Sequence, residues 1–145
     1  MFDKILIVCI ANICRSPLAE VILQNALNKT GRSCSVSSAG IYALVNHAAA
    51  EHSITVGENH GINLLPHKAR QLNKEMLNEN QLILVMENVH VSMVLETAPF
   101  ARGRVHRLGK WHNQEITDPY RKSLAHFEKT YGIIEKNVEA WLEKL

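Results

Sequence analysis

Residues 5–17 read Ile-Leu-Ile-Val-Cys-Ile-Ala-Asn-Ile-Cys-Arg-Ser-Pro, an apolar run followed by a short loop and a helix start. The apolar run predicts a buried strand. Ser16 is a residue type typical of a helix N-cap, and Pro17 is typical of a first helical position. Cys9 and Arg15 therefore lie in a loop between a strand and a helix N-terminus, where unpaired amides and the helix dipole favour anions.

This loop carries two side chains that are suited to phosphate chemistry. Cys9 at such a position is expected to be a thiolate near neutral pH and to act as a nucleophile. Arg15 can hold two phosphate oxygens through its planar guanidinium, and the amides of residues 10–15 would supply further donors. A buried structural cysteine is the alternative interpretation of Cys9. It does not explain an arginine at a helix N-terminus, where a positive charge is unfavourable without an anion.

Short apolar runs alternate with helix-period stretches along the chain. This order predicts an α/β fold with a parallel sheet covered by helices on both faces. Ligands of such sheets bind beyond the carboxyl ends of the strands, where the Cys9 loop is expected to lie. At 145 residues, the chain is predicted to form one domain over residues 1–145. Strands are predicted at about 4–9, 34–38, 81–86 and 104–108, and helices at about 17–29, 48–59, 89–96 and 124–145.

The composition argues against several classes of protein. A net charge of +2 gives no indication of a nucleic-acid-binding protein, and no apolar stretch is long enough to cross a membrane. Three cysteines, an odd number, together with the lack of a cleavable signal segment, predict a cytoplasmic protein. The histidines and cysteines show no metal-ligand spacing, so we expect neither a metal nor another cofactor.

Residues 9–16 resemble the Cys-x-Gly-Asn-Ile-Cys-Arg-Ser signature of the low-molecular-weight protein tyrosine phosphatases, with Ala11 in place of the usual glycine. The resemblance extends over nearly the whole chain. It implies a flavodoxin-like fold with a four-stranded parallel sheet, and hydrolysis of phosphotyrosine through a phospho-cysteine intermediate. Further family-like pieces occur in the expected order: Ser38-Ala39-Gly40, Gly61-Ile62-Asn63, His67-Lys68-Ala69-Arg70, Met86-Glu87 and Asp118-Pro119-Tyr120.

Asp118 is the predicted general acid. Because it precedes Pro119, its backbone is expected to be extended or in a turn, on a shaped loop. Such a carboxyl group would protonate the phenolate leaving group and then act as a base on the attacking water. An ordinary Asp-Pro turn is the alternative. Tyr120 would either stack on the substrate ring or serve only in packing.

Other residues of the loop are expected to shape and support it. Ser16 either only caps the helix or also donates its hydroxyl hydrogen to the Cys9 thiolate. Asn12 is the better candidate for a positive φ, whereas Ala11 is expected to have an ordinary φ and only to be small. By resemblance, Asn12 and His67 brace the loop, and a purely structural histidine is the alternative for His67.

The resemblance also implies a redox role and a substrate-selecting rim. Cys14 would form a reversible disulfide with Cys9 that guards against over-oxidation, unless it is only a packed thiol. Residues 41–47 look like the variable rim loop, with Tyr42 and Leu44 as apolar contacts, and Ile10, Ala11 and Ile13 complete the phosphate-binding set. Because this rim loop contains no Trp, it resembles the loop of phosphatases from Gram-negative exopolysaccharide systems more closely. The implied partner is then a phosphotyrosine-bearing bacterial tyrosine autokinase, and the enzyme is expected to be a monomer.

Three other functions agree less well with these residues. An arsenate reductase of the same fold needs a resolving cysteine pair near residues 80–90, and residues 82–90 contain no cysteine. A protein arginine phosphatase resembles the family but carries Thr where this chain has Ile13. A phosphate-binding module without turnover would not need both Cys9 and Asp118.

Overall fold

The computed structural model describes residues 2–145. In order, its strands and helices are β1 (Lys4–Cys9), α1 (Arg15–Lys29), β2 (Ser35–Gly40), α2 (Glu51–Asn59), α3 (Lys74–Glu79), β3 (Leu82–Val85), α4 (Asn88–Thr97), β4 (Val105–Arg107) and α5 (Leu124–Leu142). Two short 3-10 turns, Pro99–Ala101 and Lys110–His112, flank β4.

The four strands form one parallel sheet in the order β2-β1-β3-β4. The predicted α/β fold with a four-stranded parallel sheet is confirmed. Strand β1 is central and pairs with β2 on one side and β3 on the other. The order of the strands reverses at β1, so the loop that follows it lies at the topological switch point, where ligands of open α/β sheets bind.

Helices cover both faces of the sheet, which explains why β1 is apolar at every position from Ile5 to Cys9. Ile5 and Ile7 pack in a core with residues of α1, α2 and α5, whereas Leu6 and Val8 pack in a second core with residues of α3 and α4. All four side chains are fully buried. Successive residues of a strand point to opposite faces, so a strand between two helical layers needs apolar residues at every position.

The structure differs from the sequence predictions at two places that matter for the site. Helix α1 begins at Arg15, with Cys14 in the N-cap position and no side-chain cap bond, so the prediction that Ser16 caps this helix is wrong. Helix α3, with Asn73 as its cap, was not predicted. Among residues 2–145, no helix combines the length and apolar character that crossing a bilayer would require.

Candidate active site

The loop between β1 and α1 is held so that its amide groups point inward. Every carbonyl from Cys9 to Cys14 accepts a hydrogen bond from outside the loop, and none of the described peptide bonds is cis. Since C=O and N–H point in opposite directions in a trans peptide, the amides of residues 10–15 face the other side. This arrangement forms an anion-binding nest. The outward partners are the amides of Ile41, Tyr42, Leu44 and Ala50, the His67 ring and the Ser53 hydroxyl.

Asn12 braces this loop from behind. It has a φ of 61°, as predicted, and Ala11 is not among the residues with positive φ. The Asn12 Nδ2 group donates to the Ser16 hydroxyl at 2.7 Å and to the Ser38 hydroxyl at 3.0 Å, and its Oδ1 atom accepts the Arg70 amide at 2.9 Å. Because the side chain is fully buried and makes three hydrogen bonds, it holds the left-handed backbone at Asn12 in place.

Cys9 lies at the floor of the cavity that the loop encloses. Its side chain is 2% exposed, and its Sγ atom is 2.9 Å from the Ser16 hydroxyl oxygen. That hydroxyl accepts a hydrogen from Asn12, so its own hydrogen is available to the sulfur. Ser16 therefore interacts with the predicted nucleophile and not with the end of the helix.

The cavity has a volume of about 270 Å³ and gathers most of the predicted site residues. Its apolar rim is exposed, with Tyr42 at 69%, Leu44 at 39% and Tyr120 at 46% of their surfaces. The side chains of Asn12, Ser16 and His67 do not line the cavity and lie behind or beneath the loop. Its lining consists of Cys9, Ile10, Ala11, Ile13, Cys14, Arg15, Tyr42, Leu44, Asp118 and Tyr120.

Arg15 is anchored at one end of its guanidinium, and the edge formed by Nε and Nη2 makes no hydrogen bond to residues 2–145. Its side chain is 2% exposed, and Nη1 donates to Glu87 Oε2 at 2.6 Å and to the Ile116 carbonyl at 2.7 Å. Its Nη2 atom lies 3.7 Å from Asp118 Oδ2, and its buried Nε finds no partner among residues 2–145. The Nε–Nη2 edge is the edge with which arginine binds two oxygens of one phosphate.

Glu87 is a site residue to which sequence reasoning gave no role. It is the N-cap of α4 and follows β3 by two positions. Because β1 and β3 are neighbouring parallel strands, residues just after them meet at one edge of the sheet. An acidic residue just after the strand that neighbours β1 is the sequence signal that could have identified Glu87 as a partner of Arg15. The Ile116 carbonyl had none, since any residue type could supply it.

Asp118 closes a local turn and also borders the cavity. Its Oδ1 atom accepts the Tyr120 amide at 3.1 Å, which closes a local turn, while Oδ2 faces Arg15. The carboxyl side chain is 43% exposed and forms part of the cavity wall. A proton can therefore pass between this group and a ligand in the cavity.

The three cysteines are free thiols, and two of them line the same cavity. Burial, followed by the negative charges of Asp118 and Cys9, raises the pKa of Cys14 to about 12. Cys14 is therefore a neutral thiol at physiological pH. Within residues 2–145, no group of three His, Cys, Asp or Glu side chains is arranged to hold a metal ion.

Comparisons with known proteins all point to one family. Residues 4–145 match the family described as low molecular weight phosphotyrosine protein phosphatase. The chain is 42% identical to the probable low molecular weight protein-tyrosine-phosphatase AmsI of Erwinia amylovora, over 100% of this chain and 99% of that protein. It is 41% identical to the low molecular weight protein-tyrosine-phosphatase Wzb of Escherichia coli, over 100% and 97% of the two chains.

Solved structures give the same result. The crystal structure of AmsI from Erwinia amylovora has a TM-score of 0.94 at 42% identity, covering 100% of this chain and 94% of that chain. Vibrio vulnificus Wzb, solved in complex with benzylphosphonate, has a TM-score of 0.94 at 37% identity and is covered in full, as is this chain.

Proposed function

The chain belongs to the low molecular weight phosphotyrosine protein phosphatase family, and we propose that Cys9, Arg15 and Asp118 carry out its reaction on phosphotyrosine. One observation carries this assignment. A buried thiol, a set of inward amides and the Nε–Nη2 edge of Arg15 face one cavity, and Asp118 lies on its wall. Together they supply a nucleophile, an oxyanion site and a proton donor.

The first step transfers the phosphoryl group to Cys9. The amides of residues 10–15 and the Nε–Nη2 edge of Arg15 hold the three non-bridging oxygens. The Cys9 thiolate then forms a bond to phosphorus while the bond from phosphorus to the phenolic oxygen breaks. Asp118 gives its proton to that oxygen, so tyrosine leaves as a neutral phenol. The product on the enzyme is a phospho-cysteine.

The second step returns the enzyme to its starting state. Asp118, now a carboxylate, takes a proton from a water molecule, and the water oxygen bonds to phosphorus. The bond between sulfur and phosphorus breaks, and the electron pair returns to Cys9 as a thiolate. The Ser16 hydroxyl, 2.9 Å from the sulfur, stabilises that charge.

The walls of the cavity favour an aromatic phosphate ester. Tyr42, Leu44 and Tyr120 present apolar surface above the loop, and aromatic rings pack well against such surfaces. The related Vibrio vulnificus Wzb was solved with benzylphosphonate, which places a ring one carbon from its phosphorus. Phosphoserine lacks a ring and is shorter, so its phosphate reaches the floor of the cavity less easily.

The partner that we propose is a bacterial tyrosine autokinase, with the phosphatase acting as a cytoplasmic monomer. The rim at residues 41–47 resembles that of exopolysaccharide-system phosphatases, and the proteins compared above are bacterial. Three free cysteines suit a reducing compartment.

A substrate comparison tests this function. Peptides carrying phosphotyrosine, phosphoserine or phosphoarginine are assayed beside arsenate plus a thiol reductant. We expect phosphotyrosine to exceed the others by at least about tenfold in kcat/KM, which is about 1.4 kcal/mol of transition-state binding. Phosphoarginine would meet Ile13 in the cavity wall. A preference for phosphoarginine, or sustained arsenate reduction, would overturn the assignment.

The partner is tested separately with the Cys9→Ser variant. It should bind a phosphorylated autokinase tail without releasing phosphate, because the loop amides and Arg15 are unchanged. The wild-type enzyme should dephosphorylate the same tail. Phosphate release by Cys9→Ser at the wild-type rate would show that Cys9 is not the nucleophile. Failure of the wild type to act on the tail, with phosphotyrosine peptides still hydrolysed, would reject only the partner.

A further inference from the structure

His90 is the only one of the eight histidines that is fully buried, at 1% exposure, and nothing in the reaction so far uses it. It lies in the first turn of α4, three residues after Glu87. Its side chain does not line the cavity. A buried histidine that does not line the cavity has to be explained by what its two ring nitrogens contact.

The contacts of His90 fix its tautomer. Its Nδ1 atom is 3.1 Å from the backbone nitrogen of Glu87, and an amide can only donate, so Nδ1 accepts. In the neutral ring the proton must then be on Nε2. The Nε2 atom lies 3.5 Å from Glu87 Oε2, which is the same oxygen that accepts the hydrogen bond from Arg15.

The charge state of His90 suits this contact. Burial, followed by the positive charge of Arg15, lowers the pKa of His90, although the carboxylates of Glu87, Glu115 and Asp118 act in the opposite direction. The ring is therefore neutral at neutral pH. The neutral Nε2–H group, 3.5 Å from Glu87 Oε2, faces this carboxylate with a partial positive charge and does not cancel its negative charge, so the attraction of Glu87 for Arg15 is kept.

We propose that His90 is a positioning residue that holds the Glu87 carboxylate against Arg15 and thereby aims the Nε–Nη2 edge of Arg15 into the cavity. This role presupposes the phosphatase activity proposed above. Glu87 is 30% exposed, whereas Arg15 is 2% exposed; the Glu87 side chain also accepts from the His90 backbone amide in the capping box, so side chain and backbone of His90 both face it. If Glu87 turned away, Nη1 would keep only the Ile116 carbonyl, and this single hydrogen bond would fix the direction of the Nε–Nη2 edge less well than two do.

Two substitutions separate this role from plain helix capping. In His90→Asn the amide oxygen can replace Nδ1 at the cap, but no donor reaches Glu87 Oε2. In His90→Gln the amide nitrogen can replace Nε2 and restore that donor. Calorimetry measures the binding of inorganic phosphate. Steady-state assays with an aryl phosphate give kcat and KM, and thermal melting reports on folding. We expect His90→Asn to weaken phosphate binding about tenfold with little change in Tm, and His90→Gln to stay within about threefold of wild type.

A double-mutant cycle with Glu87→Gln shows whether His90 acts through Glu87. In the Glu87→Gln background, His90→Asn should weaken phosphate binding by less than about twofold. Wild-type phosphate affinity in His90→Asn would overturn the proposal, and so would an undiminished tenfold loss in the double variant. If His90→Asn does not fold, wild-type affinity in Glu87→Gln overturns it instead. Phosphate binding is measured without turnover, so these results are independent of whether the wild type hydrolyses phosphotyrosine.

Discussion

Replacing Gly40 with alanine should damage catalysis through the backbone of the phosphate-binding loop. Gly40 ends β2 directly beneath this loop, and its amide and carbonyl are bonded to Arg70 and Leu72. A Cβ atom there would lie 2.5 Å from the Ile10 carbonyl oxygen and 3.0 Å from the Ala11 carbonyl carbon. Both are backbone atoms, so no side chain can turn aside to make room.

The size of the effect follows from these distances. Ordinary contact begins at 3.4 Å, so the Ile10 peptide would have to move by about 0.9 Å relative to Gly40. That peptide carries the Ala11 amide, one of the inward donors. Misplacing a catalytic group by about 1 Å can cost about 100-fold in rate. We expect a loss of about 10- to 100-fold in kcat/KM, with about 1–3 kcal/mol of destabilisation from overpacking.

Gly132→Ala is the matched control for this experiment. Gly132 lies in α5, and a Cβ atom there meets nothing within 4 Å. The same chemical change should stabilise the protein by roughly 0.5–1 kcal/mol, because alanine favours the helix. Its kcat/KM with an aryl phosphate should equal that of wild type. Wild-type kcat/KM and Tm in Gly40→Ala would refute the reasoning from close approach.

Four further outcomes are expected. Asp118→Asn should slow phosphotyrosine hydrolysis by about 10² to 10⁴, the usual range for a general acid, and less for a nitrophenyl ester; equal losses would make Asp118 structural. Arg15→Lys should lose most of its kcat/KM, because an ammonium cannot form the two-pronged contact; retained activity would remove the clamp. Mild peroxide should inactivate the enzyme reversibly through a Cys9–Cys14 disulfide, and Cys14→Ser should make the loss harder to reverse with thiol; mass spectrometry that finds no bridge would exclude this guard. The pKa of His90 in the folded state lies below its ordinary value of 6.5, so its contribution to stability is complete above pH 6.5 and is lost as the pH falls through the folded-state pKa. The free energy of unfolding, measured with a chemical denaturant between pH 7.5 and 5, should therefore fall less steeply in His90→Gln than in wild type. Parallel pH curves for the two proteins would assign the loss of stability to other groups.

The local part of the site could be predicted from the sequence because its signals are contiguous. The apolar run of β1, the nucleophile and the arginine are all within residues 5–17. The left-handed residue was also predictable, since Asn tolerates positive φ better than other candidates in the loop. The four-stranded parallel sheet could be predicted from the alternation of strands and helices together with the resemblance.

Features that depend on distant contacts could not be predicted in this way. Ser16 has the residue type of a helix cap, but Cys9 and Asn12 engage its hydroxyl, so tertiary contacts override the local preference. Helix α3 spans only six residues, too few to show a 3.6-residue period. The anchor of Arg15 combines Glu87 with a backbone carbonyl 101 residues away in sequence, and only the fold brings them together.

The outward hydrogen bonds of the loop also fix how deep the cavity is. The amides of Ile41, Tyr42 and Leu44 donate hydrogen bonds to the carbonyls of Cys9, Ile10 and Ala11. These backbone hydrogen bonds hold the rim at a fixed distance from the floor of the cavity. Lowering the rim toward a shorter phosphoester would break these three bonds, at about 1 kcal/mol each. The total of about 3 kcal/mol corresponds to roughly a hundredfold in rate. The cavity therefore has a fixed depth. Phosphoesters shorter than phosphotyrosine are disfavoured because the rim cannot move toward the floor to contact them.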